Sequence, residues 1–227
     1  MAYRIASVNL LFPMKKLDLA SIETALNKRL QYPYKWMRMQ NDAWDNATKF
    51  IYKTADWDTF VFEMEASWQE SNFDKSNFVH YAMNRWYNFW SAQAVEQVFT
   101  DLPGVAPNPN PKEDHYDFRW LGERFDLKTT VFPKGYEESY AFAKAHPEHL
   151  IKWFYKNQST QQRFHLKNRM FIVCYDDQGK HYSLKADIKL LKAVVENYMK
   201  ERTPADTFSL SLEQGKETLA DIIWVEK

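Results

Sequence analysis

The chain has 227 residues and a formal net charge of zero, and 45% of its residues are hydrophobic. This size and composition predict one domain, or one domain with a small appendage, built around a substantial core. With only 5 Gly and no GxGxxG or GxxxxGK[ST] motif, the sequence argues against dinucleotide-binding and P-loop chemistry. The single cysteine, Cys174, cannot form an internal disulfide, and its apolar context MFIVCY is typical of a buried core residue.

The distribution of charge and apolar residues bears on location and partners. The first 16 residues lack the layout of a signal peptide. No stretch approaches the roughly 18 apolar residues of a membrane span, so we expect a cytoplasmic protein with no membrane partner. Residues 41–74 hold eight Asp or Glu against two Lys, whereas residues 144–169 hold six Lys or Arg against one Glu. A neutral total can therefore conceal a basic face, although solvated helix faces of opposite sign explain the pattern equally well.

The first half of the chain is predicted to be mainly helical. Residues 17–30 have helical periodicity, residues 58–66 alternate as in a strand, and a long helix runs from the capping residue Asp74 to about Phe99. A proline-rich loop follows at 101–114. It is the only plausible boundary, and the short segments on both sides favour a loop within one domain.

The second half is predicted to mix strands and helices. A hairpin of two strands, at about 115–121 and 124–132, turns at Gly122 and Glu123. Two helices are predicted to follow at 137–145 and 147–166, then a strand at 169–176, a turn at 177–180 and a short strand at 181–184. A helix at 186–200 and two closing strands at 206–212 and 218–227 complete the chain.

The hairpin stretch HYDFRWLGERFDLKTT, residues 115–130, separates apolar from charged side chains. With this turn, alternation places the two sets on opposite sides of the ribbon: Phe118, Trp120, Phe125 and Leu127 on one, and Asp117, Arg119, Asp126 and Lys128 on the other. Asp117 then faces Lys128, and Arg119 faces Asp126. One interpretation is a solvated face with two ion pairs, each stabilising by about 0.2–1 kcal/mol.

A second interpretation of the charged side is a metal site. Carboxylates on adjacent strands are the oxygen ligands that a hard divalent cation prefers. Lys128 lies two residues beyond Asp126, about 6–7 Å along the strand on the same face. From there its ammonium reaches an attacking water or the charge that develops on phosphorus, beside a metal that neutralises a phosphate.

Asp117, followed by Asp126-Leu127-Lys128 on the next strand, resembles the PD-(D/E)xK motif of the restriction-endonuclease-like nuclease superfamily. The resemblance covers about residues 74–176. It implies an α/β (α+β) fold, with a mixed β-sheet flanked by helices and an N-terminal helical and strand extension. That family often places a further acidic ligand on the helix before the motif, and Glu96 matches it here.

The sequence departs from the family pattern at three places. Tyr116, not Pro, precedes the first aspartate, and Arg119 shares the proposed metal-facing side. The family's first core strand is not identifiable between Glu96 and Asp117, where Asp114 offers a second ligand.

The resemblance implies a Mg²⁺- or Mn²⁺-dependent DNA endonuclease, acting in restriction, defence or repair. Asp117, Asp126 and Glu96 would hold the metal, Lys128 would orient or activate water, and Arg119 would meet phosphate oxygens. On a following helix, Lys152, Lys156 and Arg163 fall near one face. Superfamily members often contact substrate from this helix, where Gln158 is our choice; an ordinary amphipathic surface helix is the alternative.

We predict a single domain over 1–227, with an N-terminal extension at 1–73, a nuclease core at 74–176 and a strand-helix-strand completion at 177–227. The expected partner is nucleic acid, DNA before RNA, and a homodimer is possible. Two alternatives stay open: a catalytically inactive binding module of the same fold, and a nuclease for RNA or for single-stranded or branched DNA.

Overall fold

The fold is described from a computed structural model, which covers residues 16–35, 42–110, 116–157, 167–213 and 216–227. The helices in these ranges are α1 (Leu19–Arg29), α2 (Asp42–Ala47), α3 (Trp57–Gln69), α4 (Lys75–Thr100), α5 (Tyr140–Ala145), α6 (Pro147–Asn157) and α7 (Ile188–Glu201). The strands are β1 (Val105–Pro107), β2 (Phe118–Trp120), β3 (Glu123–Val131), β4 (Arg169–Tyr175), β5 (Phe208–Glu213) and β6 (Lys216–Glu226). Short 3₁₀ segments lie at Lys49–Tyr52, His181–Ala186 and Pro204–Asp206.

The strands form one mixed sheet in the order β1-β2-β3-β4-β6-β5. Strands β1, β2 and β3 are antiparallel neighbours, β3, β4 and β6 run parallel, and β5 is antiparallel to β6. Parallel neighbours need long crossover connections. Helices α5 and α6 lie in the connection from β3 to β4, and α7 lies in the connection from β4 to β6. The predicted mixed α/β sheet flanked by helices is confirmed.

Two apolar clusters cover the two faces of the sheet, and β4 shows the division. Met170, Ile172 and Cys174 belong to the cluster that includes α4 and α7, whereas Phe171 and Val173 belong to the cluster that includes α6. Alternate residues of a strand point to opposite faces, so the unbroken apolar run of β4 reflects burial on both sides. Cys174 is buried as predicted, and burial raises the pKa of its thiol to about 12.

The long helix α4 is the centre of the larger cluster. It begins after Asp74, whose side chain accepts the N–H of Asn77, as predicted from the capping residue. Its tryptophans are core residues: the indole of Trp86 donates to the carbonyl of Thr54 at 2.6 Å, and that of Trp90 to the carbonyl of Ile51 at 2.9 Å. The aromatic richness of this segment therefore serves packing.

The strand predicted at 58–66 is wrong, because these residues lie in α3. Asp56 caps this helix by accepting the N–H of Thr59 at 2.8 Å. The buried positions of the helix recur at spacings of three and four, at Trp57, Phe60 and Met64. The helical period explains this burial, which the period-two reading of the sequence missed.

Two further predicted elements differ. The loop predicted at 101–114 contains β1, a three-residue edge strand that pairs Val105 with Trp120 and ends at Pro107. Proline is tolerated in an edge strand because its missing N–H costs no hydrogen bond of the sheet there. The sequence predicted a loop at this place because the segment is rich in proline. The strand predicted at 181–184 is a 3₁₀ segment.

The other predicted helices and strands are found among the described residues, with ends that differ by up to three residues from the prediction. The predicted continuation of α6 over 158–166 lies outside the described residues. No helix in the described part of the chain has the length and apolar content that crossing a membrane requires.

Candidate active site

The hairpin of β2 and β3 turns at Leu121 and Gly122, so the turn predicted at Gly122 and Glu123 is wrong. Both central residues have positive φ, 47° and 98°, as a type I′ hairpin turn requires. Leucine seldom adopts this conformation, which is why the sequence pointed to the next pair. The register pairs Phe118 with Phe125.

The observed register displaces every cross-strand partner by two residues from the prediction. Because side chains alternate with a period of two, the residues within β2 and β3 keep their predicted faces. Their partners change, however. Arg119 lies opposite Arg124 rather than opposite Asp126. The ion pairs predicted for Asp117 with Lys128 and for Asp126 with Arg119 are not found among the described residues.

Asp126 instead lies between two other cations. Lys128 Nζ is 3.1 Å from its Oδ1, and Arg169 Nε is 3.1 Å from its Oδ2. Arg169 opens β4 and is the register partner of Asp126 in the parallel pairing. The aspartate is only 7% exposed, whereas the Lys128 side chain is 45% exposed. The carboxylate is therefore buried and the ammonium beside it faces solvent.

Asp117 lies in a bend just before β2. Its N–H donates to the carbonyl of Phe125 at 2.9 Å, and its Oδ2 accepts the N–H of Leu127 at 2.6 Å. The carbonyl of Tyr116 accepts from the Asn108 side chain at 2.8 Å. The Asp117 carboxylate thus satisfies an N–H of β3 at the point where β2 begins, which holds it between the two strands.

Glu96, near the end of α4, brings a third carboxylate to this point. The side chain of Gln93 donates to its Oε2 at 3.2 Å. Burial, with the neighbouring Asp117 carboxylate, raises the pKa of Glu96 to about 7. Burial also raises the pKa of Asp117, and the charge of Asp126 adds to that rise. The hydrogen bond from the N–H of Leu127 lowers the pKa and offsets part of the rise. The acids are therefore close enough to repel one another.

These carboxylates suit a hard divalent cation. Among the described residues no group of three or more His, Cys, Asp or Glu side chains is arranged to hold a metal ion. Mg²⁺ commonly takes only one or two protein carboxylates and completes its shell with waters and substrate phosphates. Asp117 and Asp126 are the two carboxylates that would hold such an ion, and Glu96 would assist, although both oxygens of Asp126 already contact the cations of Lys128 and Arg169. A cation there would also neutralise buried acids that are otherwise costly to ionise.

Sequence reasoning missed the residues that β4 and α6 contribute. The guanidinium of Arg169 lies 5.0 Å from the ring centroid of Tyr155. The Tyr155 hydroxyl donates to the carbonyl of Lys167 at 2.7 Å. The positive charge of Lys167 partly offsets the rise that burial causes in the pKa of Asp117. The basic character of residues 144–169 was the only signal in the sequence. It did not show which cation meets which acid, because that depends on the parallel register of β3 and β4.

The predicted substrate-contacting residues are less closely grouped. Lys152 and Lys156 are exposed on α6, whose opposite side buries Ile151 and Phe154. No ion pair joins either lysine to the carboxylates in the part of the chain that the structure describes. Gln158 and Arg163, like the spare ligand Asp114, lie outside the described residues.

No protein-family model matches the chain, and neither does any curated protein or solved structure. The function therefore has to be inferred from the residues of the site themselves.

The raised pKa of Glu96 predicts a pH-dependent gain in stability for Glu96→Gln. A glutamate whose pKa rises from 4.5 to about 7 on folding favours the protonated native state, so its ionisation destabilises the fold progressively from pH 4.5 to 7. Discounted for partial solvent exposure, the penalty is about 1–3 kcal/mol. Without metal, we expect Glu96→Gln to be more stable than the native chain by that amount at pH 8, and nearly equal at pH 4.5.

Urea unfolding in EDTA at both pH values measures the difference. Glu137→Gln, at an exposed loop position, is the matched control and should show no such gain. A Glu96→Gln chain that gains equally at both pH values, or loses stability at pH 8, would contradict the ionisation argument.

Proposed function

We propose that the chain is a Mg²⁺-dependent nuclease that hydrolyses phosphodiester bonds of DNA. The observation that carries this proposal is that the buried Asp126 lies 3.1 Å from the solvent-facing ammonium of Lys128. Asp126 is also near enough to raise the pKa of Asp117, and Asp117 near enough to raise that of Glu96. Structural ion pairs can also perturb carboxyl pKa values, but two acids raised together beside an exposed amine are typical of a catalytic site.

The order of elements gives further support. From α4 the chain runs through β1, β2 and β3 to the helices α5 and α6, and then to β4. This is the order of helix, motif-bearing strands, helix and strand of the restriction-endonuclease-like superfamily that the sequence resembles. Strand β1 supplies a strand between Glu96 and Asp117, which the sequence did not reveal.

The residues divide the proposed chemistry among them. Asp117 and Asp126 would hold Mg²⁺, and Glu96 would assist. When bound, the ion neutralises charge on the scissile phosphate and lowers the pKa of a bound water. Arg169 keeps the Asp126 carboxylate in place, since its Nε lies 3.1 Å from Oδ2. Lys128 orients the attacking water or meets the charge that develops on phosphorus.

The basic residues around this centre bind the rest of the substrate. Arg119 on β2 and Lys152 and Lys156 on α6 are exposed and can neutralise backbone phosphates. Gln158 and Arg163 remain substrate contacts proposed from the sequence. These contacts position the strand and carry no base specificity of their own.

A second candidate is a nucleic-acid-binding module without catalysis. It is favoured by the two ion pairs of Asp126, which neutralise this carboxylate without any metal. In that case Lys128 and Arg169 are structural partners.

A substrate panel tests the proposal. Plasmid, linear and single-stranded DNA and RNA are incubated with Mg²⁺ or Mn²⁺ beside the native chain, Asp117→Asn and Asp126→Asn. We expect the native chain to cleave DNA, and the cleavage rate of each variant to be lower by about 10²–10³-fold or more. The reason is that each variant loses a ligand of the metal that would stabilise the charge of the transition state. Preferential cleavage of RNA would refute DNA as the substrate.

Asp177→Asn, at an exposed turn position, is the matched control and should cut at the native rate. Calorimetry with Mn²⁺ separates the two candidates. The nuclease predicts saturable binding that Asp117→Asn abolishes, whereas the binding module predicts none. A native chain that cuts no substrate and binds no metal would leave the module as the better explanation.

A further inference from the structure

The tip of the β2–β3 hairpin carries two arginines that face each other directly. Arg119 and Arg124 are register partners, and both are exposed. Like charges placed directly opposite on antiparallel strands are destabilising. The fold therefore keeps this pair at some cost to its stability, and in the described part of the chain no ion pair with a carboxylate offsets that cost.

A buried aromatic ring orients the pair. Tyr116 is only 3% exposed, and its ring centroid lies 5.4 Å from the guanidinium carbon of Arg119 and 4.9 Å from that of Arg124. Attraction between a cation and the ring quadrupole favours this placement. Both guanidiniums are thus held on one ring while remaining accessible to solvent.

The pair lies beside the carboxylate site. Arg124, Asp126 and Lys128 alternate along β3, so their side chains leave the same face of the strand. Successive members are separated by about 6–7 Å along the chain. On this face the carboxylate has Lys128 on one side and the two arginines on the other.

We propose that Arg119 and Arg124, oriented by Tyr116, form a clamp for a backbone phosphate of a nucleic-acid strand. Guanidinium is the side chain whose planar donors match phosphate oxygens in pairs. A phosphate between the two arginines would remove their mutual repulsion. The clamp deepens the proposed function, on which it rests, by adding Arg124 and Tyr116 to substrate binding and by holding the strand next to the bond that is cut.

The clamp predicts metal-independent binding of nucleic acid. Fluorescence anisotropy of a labelled DNA duplex in EDTA, over a KCl series, compares the native chain with Arg119→Gln/Arg124→Gln. We expect the double variant to bind about tenfold or more weakly at low salt. The slope of log K against log[KCl] should become shallower by about 0.9, the contribution of the one phosphate that the clamp neutralises.

The control removes two exposed cations from α7, in Lys192→Gln/Lys200→Gln, and should keep the native slope. Both variants should melt within about 1–2 °C of the native chain, as surface substitutions usually do. Inorganic phosphate should displace the duplex more strongly than chloride at equal ionic strength, because the two guanidiniums pair with phosphate oxygens. Displacement no stronger than that by chloride would overturn the clamp.

The outcomes separate the clamp from the nuclease. If the native chain cuts nothing but its DNA binding depends on both arginines, the clamp stands and catalysis is refuted. If the double variant binds DNA with native affinity and slope, the clamp is refuted, whether or not the native chain cuts. A native chain that binds no nucleic acid in EDTA refutes the clamp as well.

Discussion

Lys128→Ala is expected to lower kcat/KM for DNA cleavage by about 10²–10⁴-fold, the usual contribution of a positioned proton-transfer or charge-stabilising group. The Lys128 ammonium lies 3.1 Å from Asp126 Oδ1 and is 45% exposed in its side chain, so it faces both the proposed metal ligand and the incoming substrate. Arg169 still neutralises Asp126 in the variant. The chain should therefore fold and bind Mn²⁺ as the native chain does.

Single-turnover cleavage, Mn²⁺ calorimetry and thermal melting together measure this prediction. Lys134→Ala removes an exposed lysine from the loop after β3 and is the matched control, expected to cut at the native rate. Lys128→Arg keeps the charge but not the compact ammonium, and should recover little activity. Cleavage by Lys128→Ala at the native rate would show that the lysine has no catalytic role. Loss of Mn²⁺ binding would instead place its role in holding Asp126.

Arg29→Met is expected to destabilise the fold by about 3–5 kcal/mol, because three acceptors lose a charged donor, and hydrogen bonds to charged groups contribute about 1.5–3 kcal/mol each, partly offset by the cost of burying the guanidinium. Arg29 is fully buried at the end of α1. Its guanidinium donates to the carbonyls of Tyr32 at 2.8 Å and Pro33 at 3.1 Å, and to the Asn84 side chain at 2.6 Å. Methionine fills similar space but leaves these acceptors without their donors. The hydrogen bond that joins α1 to Asn84 of α4 is lost.

Urea unfolding at neutral pH measures the loss. Lys28→Met changes the preceding residue of the same helix, whose exposed ammonium pairs with Asp58 at 2.8 Å. This control should unfold at nearly the native urea concentration, because exposed ion pairs contribute little. If the two variants unfold at the same midpoint, the buried hydrogen bonds of Arg29 do not hold the N-terminal helix as described.

Features that depend on neighbours in the sequence could be predicted. The start of α4 follows from the capping residue Asp74. The side of the sheet on which each residue of β3 lies follows from the period-two alternation of a strand, although its burial does not alternate strictly. Alternation also survives an error of two residues in register, so Arg119, Asp126 and Lys128 share one side of the ribbon as predicted, although their cross-strand partners differ from the prediction and Asp117 lies in a bend before β2. The strand predicted at 58–66 was wrong because a short apolar run fits both the period of two of a strand and the period of 3.6 of a helix. Which of the two forms depends on which residues the tertiary structure buries.

Features that depend on distant residues were decided by tertiary structure alone. Arg169 reaches Asp126 because β3 and β4 are parallel neighbours in the sheet, although two helices separate them along the chain. No local sequence pattern specifies the register of that pairing. Glu96 is perturbed by Asp117 only because α4 packs against the start of the hairpin. The sequence determines the residue types of the motif and their spacing. The effect of Asp117 on the pKa of Glu96 and the ion pair of Arg169 with Asp126 require atoms that are close in space, and only the packing of the tertiary structure brings them together.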